Sequence, residues 1–196
     1  VTAERLTLRE RQKMQTRNHL LDCAGELIAT KGFASTSIDD IIDRAGVSRA
    51  TLYAHFSGKD ALLSAIVERM WADGLEFYEE FGALEEWSRS SILAWLHRFA
   101  AAWQKDSARN KAAAIAVPAV FFEAPDKHTQ MANAVRRNSK LWEHFTEIEA
   151  SMRSAMVVNL VESQLSDYFF NSSSMDLPTF VGYLTDALHL LLQKAR

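Results

Sequence analysis

A chain of 196 residues, 48% apolar and 24% charged, has the composition of an ordinary globular protein, enough for one large domain or two modest ones sharing a core. No apolar run approaches the ~20 residues that a bilayer-spanning helix needs, so no membrane partner is expected. The net charge of −3 argues at first against nucleic acid, but it is unevenly spread, +1 over residues 1–60 and −4 over residues 61–196.

The opening VTAERLTLRERQKMQ is charged throughout and has no apolar h-region, so no secretory signal is expected. Over the first 17 residues Arg5, Arg9, Arg11, Lys13 and Arg17 face only Glu4 and Glu10, a basic arm suited to phosphate contact. Cys23 is alone in an apolar helical pattern, which reads as a buried structural cysteine and rules out a disulfide framework. A cytoplasmic location follows as the expectation.

No window alternates with period two for long, and Gly and Pro are scarce, so the expected fold is all-α. The first helix runs from Thr7 or Arg11 to Lys31, with Leu20, Leu21, Ala24, Leu27 and Ile28 inward and Gly32 at its end. Ser37 then N-caps a second helix, with Asp40 completing a capping box, and Ile38, Ile41, Ile42 and Ala45 make its apolar face. Gly46 ends it in a left-handed residue and Ser48 caps the next, leaving a turn of about three residues. The third helix buries Val47, Leu52 and Phe56 and leaves Arg49, Ala50, Thr51 and Tyr53 outward. Two helices locked by a glycine turn form a helix-turn-helix, whose second member enters a DNA major groove.

Ser57 and Asp60 predict the start of a long fourth helix, with Leu62, Ile66 and Met70 inward, reaching Glu80 before Gly82. From Ala83 to Val181 there is no glycine, as suits a helical bundle. Ser88 to Asp106 puts Ile92, Trp95, Leu96, Phe99 and Trp103 on one stripe, and Asn110 to Glu123 forms another apolar helix that Pro118 is expected to kink. From Pro125 a 3.6-residue rhythm runs through Met131, Val135, Trp142, Phe145, Met152, Met156 and Leu160, as one bent helix or two abutting ones. The stretch Ser166 to Met175 reads as a loop, and Asp176 and Pro178 start a last helix carrying Phe180, Leu184, Leu188 and Leu191.

The run Gly32-Phe33-Ala34-Ser35-Thr36-Ser37, then Ala45-Gly46-Val47-Ser48, Thr51-Leu52-Tyr53-Ala54-His55-Phe56 and Lys59-Asp60-Ala61-Leu62, closely resembles the N-terminal domain of TetR-type (TetR/AcrR) transcriptional regulators. The likeness covers roughly Thr16 to Ile66 and beyond that is one of architecture. It implies a helix-turn-helix DNA-binding domain at 1–58, with the basic arm, and a helical ligand-binding and dimerisation domain at 59–196. By position it implies phosphate contacts from Ser37, Tyr53, His55, Lys59 and Arg17. It also puts Ser48, Arg49, Ala50 and Thr51 in the turn that reaches bases and phosphates. Arg49 is the base-reading candidate, because its planar fork meets both guanine acceptors. Ala50 departs from the glycine often found there. In such regulators two C-terminal helices per subunit pack as a four-helix dimer interface. Here one clear helix follows the loop, so its expected partner is either the Trp142–Leu165 segment or a last helix missing beyond Arg196.

Large aromatics beside a kinked helix tend to leave an apolar pocket, and Trp95, Phe99, Trp103, Phe121, Phe122, Trp142 and Phe145 are the candidate lining for an apolar or aromatic effector. His144 and Glu147 form an H-x-x-E pair, but a metal site needs three or more converging ligands, and surface histidines are the better reading. No nucleophile elbow, H-E-x-x-H, C-x-x-C, P-loop or dinucleotide fingerprint is present, so neither enzyme nor cofactor is expected. The expected function is a homodimeric repressor that a small molecule releases from a palindromic operator on double-stranded DNA. The competing reading is an all-α lipid- or small-molecule-binding protein, or a cryptic enzyme, whose helix corner is only structural.

Overall fold

A computed structural model describes residues 7–120, 126–171 and 173–193, and the side chains of all of these except 115–120. Among the described residues the chain is all-α, with nine α-helices and one 3-10 turn and no strand. The helices are α1 (Leu8–Lys31), α2 (Ile38–Ala45), α3 (Arg49–Tyr53), α4 (Lys59–Gly82), α5 (Arg89–Lys105), α6 (Ser107–Val120), α7 (Asp126–Val135), α8 (Glu147–Phe170) and α9 (Leu177–Leu191). None is long and apolar enough to cross a membrane, among the described residues.

The chain divides into two compact units, one running to Arg69 and including Ala108–Val117, the other made of Met70–Ser107 and the chain from Pro118. In the first, Thr7 fixes where α1 begins: its hydroxyl accepts from the Glu10 N–H (3.2 Å), and the Glu10 carboxylate accepts from the Thr7 N–H (2.8 Å). Leu20, Leu21, Ala24 and Ile28 of α1 are buried, as are Ile41, Leu52, Phe56, Leu62 and Ile66, each leucine, isoleucine or phenylalanine contributing roughly 1.5–3 kcal/mol. Gly25 lets α6 approach α1, since a Cβ there would lie 3.3 Å from the Arg109 Cα.

The second unit is built on aromatics. Trp95 of α5 meets Phe81 edge-on (4.7 Å between centroids), Phe99 meets Tyr78 edge-on (5.6 Å) and Phe77 stacks on Phe99 (4.5 Å). The buried Trp95 indole is satisfied by the Phe77 carbonyl at 2.7 Å. Helix α5 packs on α9, and α8 on both α7 and α9.

The element order follows the sequence reading, with local differences in where elements start and stop. Helix α3 stops at Tyr53, so Phe56 is buried from the turn beyond it. The first bond of α4 runs from Leu62 N–H to the Gly58 carbonyl, which makes Gly58 the N-cap where Ser57 was expected. Of the two readings of the rhythm from Met131 to Leu160, two helices hold, α7 and α8, but a 3-10 turn (Ser139–Trp142) separates them and a capping box of Thr146 with Glu149 starts the second. Helix α8 then continues to Phe170, through the first half of the expected loop.

Candidate nucleic-acid interface

The corner between α2 and α3 is held by its own side chains. The Ser37 hydroxyl accepts from the Asp40 N–H (3.1 Å) while the Asp40 carboxylate accepts from the Ser37 N–H (2.7 Å) and hydroxyl (2.6 Å). Lys31 stands 2.8 Å from the same carboxylate. Lys31 and then Ser37 hold the Asp40 carboxyl well below the usual carboxylate range. Gly46 is left-handed (φ 64°, ψ 33°) and its N–H bonds back to the Ile42 carbonyl. Ser48 is extended (φ −76°, ψ 155°), and its hydroxyl accepts from the Thr51 N–H at 3.1 Å and meets the Thr51 hydroxyl at 2.8 Å.

With the corner fixed, Leu52 and Phe56 anchor α3 while Arg49, Ala50 and Tyr53 stay exposed and Thr51 is half-buried. Arg49 is not loose: its Nη2 is ion-paired to the Asp39 carboxylate in the first turn of α2. Arg17 reaches from α1 to the same end of the head. Its guanidinium lies 4.3 Å above the Phe56 ring, and Nη1 donates to the His55 carbonyl at 3.3 Å. Burial first, then the cations of Lys13 and Arg17, hold the His55 imidazole below its ordinary value.

Lys59, assigned a phosphate contact, is turned onto the head itself. Its ammonium donates to the carbonyls of Phe33 (2.8 Å) and Thr36 (2.9 Å) and sits over the Phe33 ring. Ser48, Arg49, Ala50 and Thr51 are thus gathered on α3 with Tyr53 and His55 following, Arg17 is brought to His55, and Ser37 and Lys59 belong to the turns that hold α2 and α4. Sequence reasoning left out Asp39, and gave Lys13 no role beyond the arm. The second was legible, since Arg9, Lys13 and Arg17 recur every four residues on α1.

The candidate effector residues do not form one group. Trp95 and Phe99 share the core with Tyr78, while Trp103 packs against Phe169 and Phe170. Trp142 and Phe145 cluster with Trp87, and Phe121 and Phe122 lie outside the described residues. Two recesses in this unit are lined by others: a cavity of about 160 Å³ between α7 and α8, with His128, Asn133, Ser154 and Asn159, and an apolar groove of about 630 Å³ along α8 and α9. Among the described residues no three His, Cys, Asp or Glu side chains gather as a metal site.

Residues 20–66 match the family described as bacterial regulatory proteins, tetR family. The chain is 44% identical over 59 residues to the HTH-type transcriptional regulator AcrR of Shigella flexneri, covering 30% of this chain and 27% of that one. It is 34% identical over 82 residues to the HTH-type transcriptional repressor KstR2 of Rhodococcus jostii, covering 42% and 40%. The chain therefore spans well under half the length of these relatives. The solved structure of a putative TetR-family regulator from Syntrophomonas wolfei matches 92% of this chain and 96% of that one, with a TM-score of 0.73 at 14% identity, a likeness of fold. Residues 20–66 are thus what this chain shares with the family of bacterial regulatory proteins described as tetR, and beyond them the likeness is one of fold.

Proposed function

We propose that the protein is a ligand-responsive transcriptional regulator that binds a palindromic operator as a homodimer and acts as a repressor. The observation that carries this reading is the recognition element: a helix fixed on both sides by Ser48 and Phe56, with Arg49, Ala50 and Tyr53 left exposed. Arg17 and the stripe formed by Arg9 and Lys13 supply phosphate-binding cations, Ser37, Thr51 and His55 add further contacts, and Lys59 braces the connection between α1 and α2.

One such head reads only a few base pairs, so two must act together. The surface that suits pairing is on α8 and α9, where Ile148, Met152, Met156, Tyr183 and Leu190 are exposed on a unit whose other large apolar side chains are mostly covered. The effector is an apolar or aromatic small molecule held by the aromatic body. Helix α4 contributes residues to both units, so a ligand that shifts it changes the geometry available to the heads.

The test is selection of bound fragments from genomic DNA by the purified protein, followed by titration of the selected duplex at rising salt. A regulator enriches a two-fold-symmetric sequence and loses affinity by orders of magnitude as salt rises from about 50 to 200 mM. Absence of any enriched sequence, with binding insensitive to salt, favours a helical small-molecule carrier instead.

A further inference from the structure

The ion pair between Asp39 and Arg49 places a carboxylate where a DNA-binding surface has every electrostatic reason to avoid one. Asp39 lies in the first turn of α2 and Arg49 is the first residue of α3, and both side chains are more than half exposed. An exposed pair of this kind contributes little to stability, so burial does not account for it. Asp40 does not compete for Arg49, because its carboxylate is already shared by Lys31 and the Ser37 cap. The Asp39 carboxylate accepts from Arg49.

Resting on the regulator reading above, we infer that Asp39 is a positioning residue that makes Arg49 a reader of bases. A lone arginine at the start of a recognition helix swings freely and is satisfied by any phosphate, which gives affinity without sequence. Held through Nη2 by a carboxylate on the neighbouring helix, the guanidinium loses most of its rotamer freedom, and its remaining donors keep one direction. A fork aimed along the groove meets the two acceptors of guanine, whereas a phosphate at another angle is out of its reach. The carboxylate itself repels the backbone of every duplex alike. It therefore costs affinity on wrong sequences that only a well-placed Arg49 contact recovers, which is discrimination by a repulsive element.

The probe is a duplex that wild-type protein enriches from a randomised pool, compared with a scrambled duplex of the same composition. Asp39→Ala is expected to lower the ratio of the two affinities about 5- to 50-fold, mainly by binding the scrambled duplex as well as or better than wild type does. Asp39→Asn keeps an acceptor without the charge and is expected to fall between. In an Arg49→Ala background, Asp39→Ala is expected to leave the ratio unchanged, because the residue acts through Arg49. Circular dichroism confirms that each variant retains its helices. Equal losses on both duplexes after Asp39→Ala overturn the inference, as does an undiminished effect of Asp39→Ala without Arg49. A selected duplex whose base preference survives Arg49→Ala also overturns it while leaving the regulator intact. Failure of wild type to enrich any duplex removes the regulator reading and the inference together.

Discussion

The ammonium of Lys59 stands 4.3 Å above the ring of Phe33 and donates to that residue's carbonyl at 2.8 Å. The same group donates to the Thr36 carbonyl, so one side chain from the start of α4 ties down the connection between α1 and α2. A charged donor on two carbonyls plus an aromatic face is worth about 1–3 kcal/mol. Lys59→Ala is accordingly expected to destabilise the head by that amount and to weaken all duplexes by a common factor. All five tryptophans lie at or beyond Trp71, so their fluorescence reads the other unit. The check is hydrogen exchange of the α1–α3 amides, and protection equal to wild type would assign the clasp no energetic role.

Glu162 of α8 carries a second prediction. Its carboxylate accepts from the Tyr78 hydroxyl at 3.0 Å, and burial pushes the carboxyl up to about 7. A folded-state value above the unfolded one means that the folded protein holds the proton more tightly. Stability is then fully present below pH about 4.5 and lost as pH rises through about 7, with no further loss from this group above it. The loss is on the order of 1–3 kcal/mol. Glu162→Gln is expected to flatten that part of the profile and to raise stability at pH 8, read by denaturant titration of tryptophan fluorescence. A wild-type profile already flat between pH 5 and 7 contradicts the assignment.

Two glycines of α4 separate backbone from side-chain constraint. A Cβ on Gly82 would lie 1.9 Å from the Ala134 carbonyl oxygen, at a place where the Gly82 carbonyl also accepts from the Asn138 N–H. A Cβ on Gly74 would meet the Met131 Cε at 3.0 Å, the free end of a flexible chain. Gly82→Ala is expected to cost about 2–3 kcal/mol or more by forcing α4 and α7 apart. Gly74→Ala is expected to be close to neutral, since helix propensity returns up to ~1 kcal/mol. Thermal melts of the two variants settle the order, and similar Tm values would refute the close approach at Gly82.

What the sequence shows of this molecule is what local chemistry decides. Ser37 with Asp40, Gly46 and Ser48 act within four residues of themselves, so the corner of the head was readable to the residue. The box of Thr146 with Glu149 was equally local, but an unbroken apolar rhythm on either side hid it. The pairing of Asp39 with Arg49 depends on how α2 crosses α3, and the nine intervening residues give no sign of it. The apolar faces of α9 were hardest. The helix is apolar nearly all round, so periodicity does not reveal which stripe its neighbours α5 and α8 cover.

That ambiguity bears on assembly. The apolar stripe Phe180, Leu184, Leu188 and Leu191 of the last helix suggests a two-fold surface from sequence alone, yet Leu184 and Leu188 are buried against the chain's own helices. The exposed side of α9 carries Tyr183 (66% exposed) and Leu190 (68%), and α8 offers Ile148, Met152 and Met156 at four-residue spacing. A charge on the exposed stripe disturbs only pairing, whereas loss of volume on the buried stripe disturbs folding. Leu190→Glu is therefore expected to give a folded monomer in sedimentation at micromolar concentration, with an unchanged melt of the isolated chain. Leu188→Ala is expected to lose about 2–5 kcal/mol of stability by leaving a cavity. DNA binding follows the first effect. Half-sites one turn apart, ~34–36 Å, are held together only by a dimer, so the Leu190→Glu monomer binds a single half-site weakly. A Leu190→Glu protein that sediments as a wild-type dimer places the two-fold surface elsewhere, and a wild type that is itself monomeric overturns the homodimer.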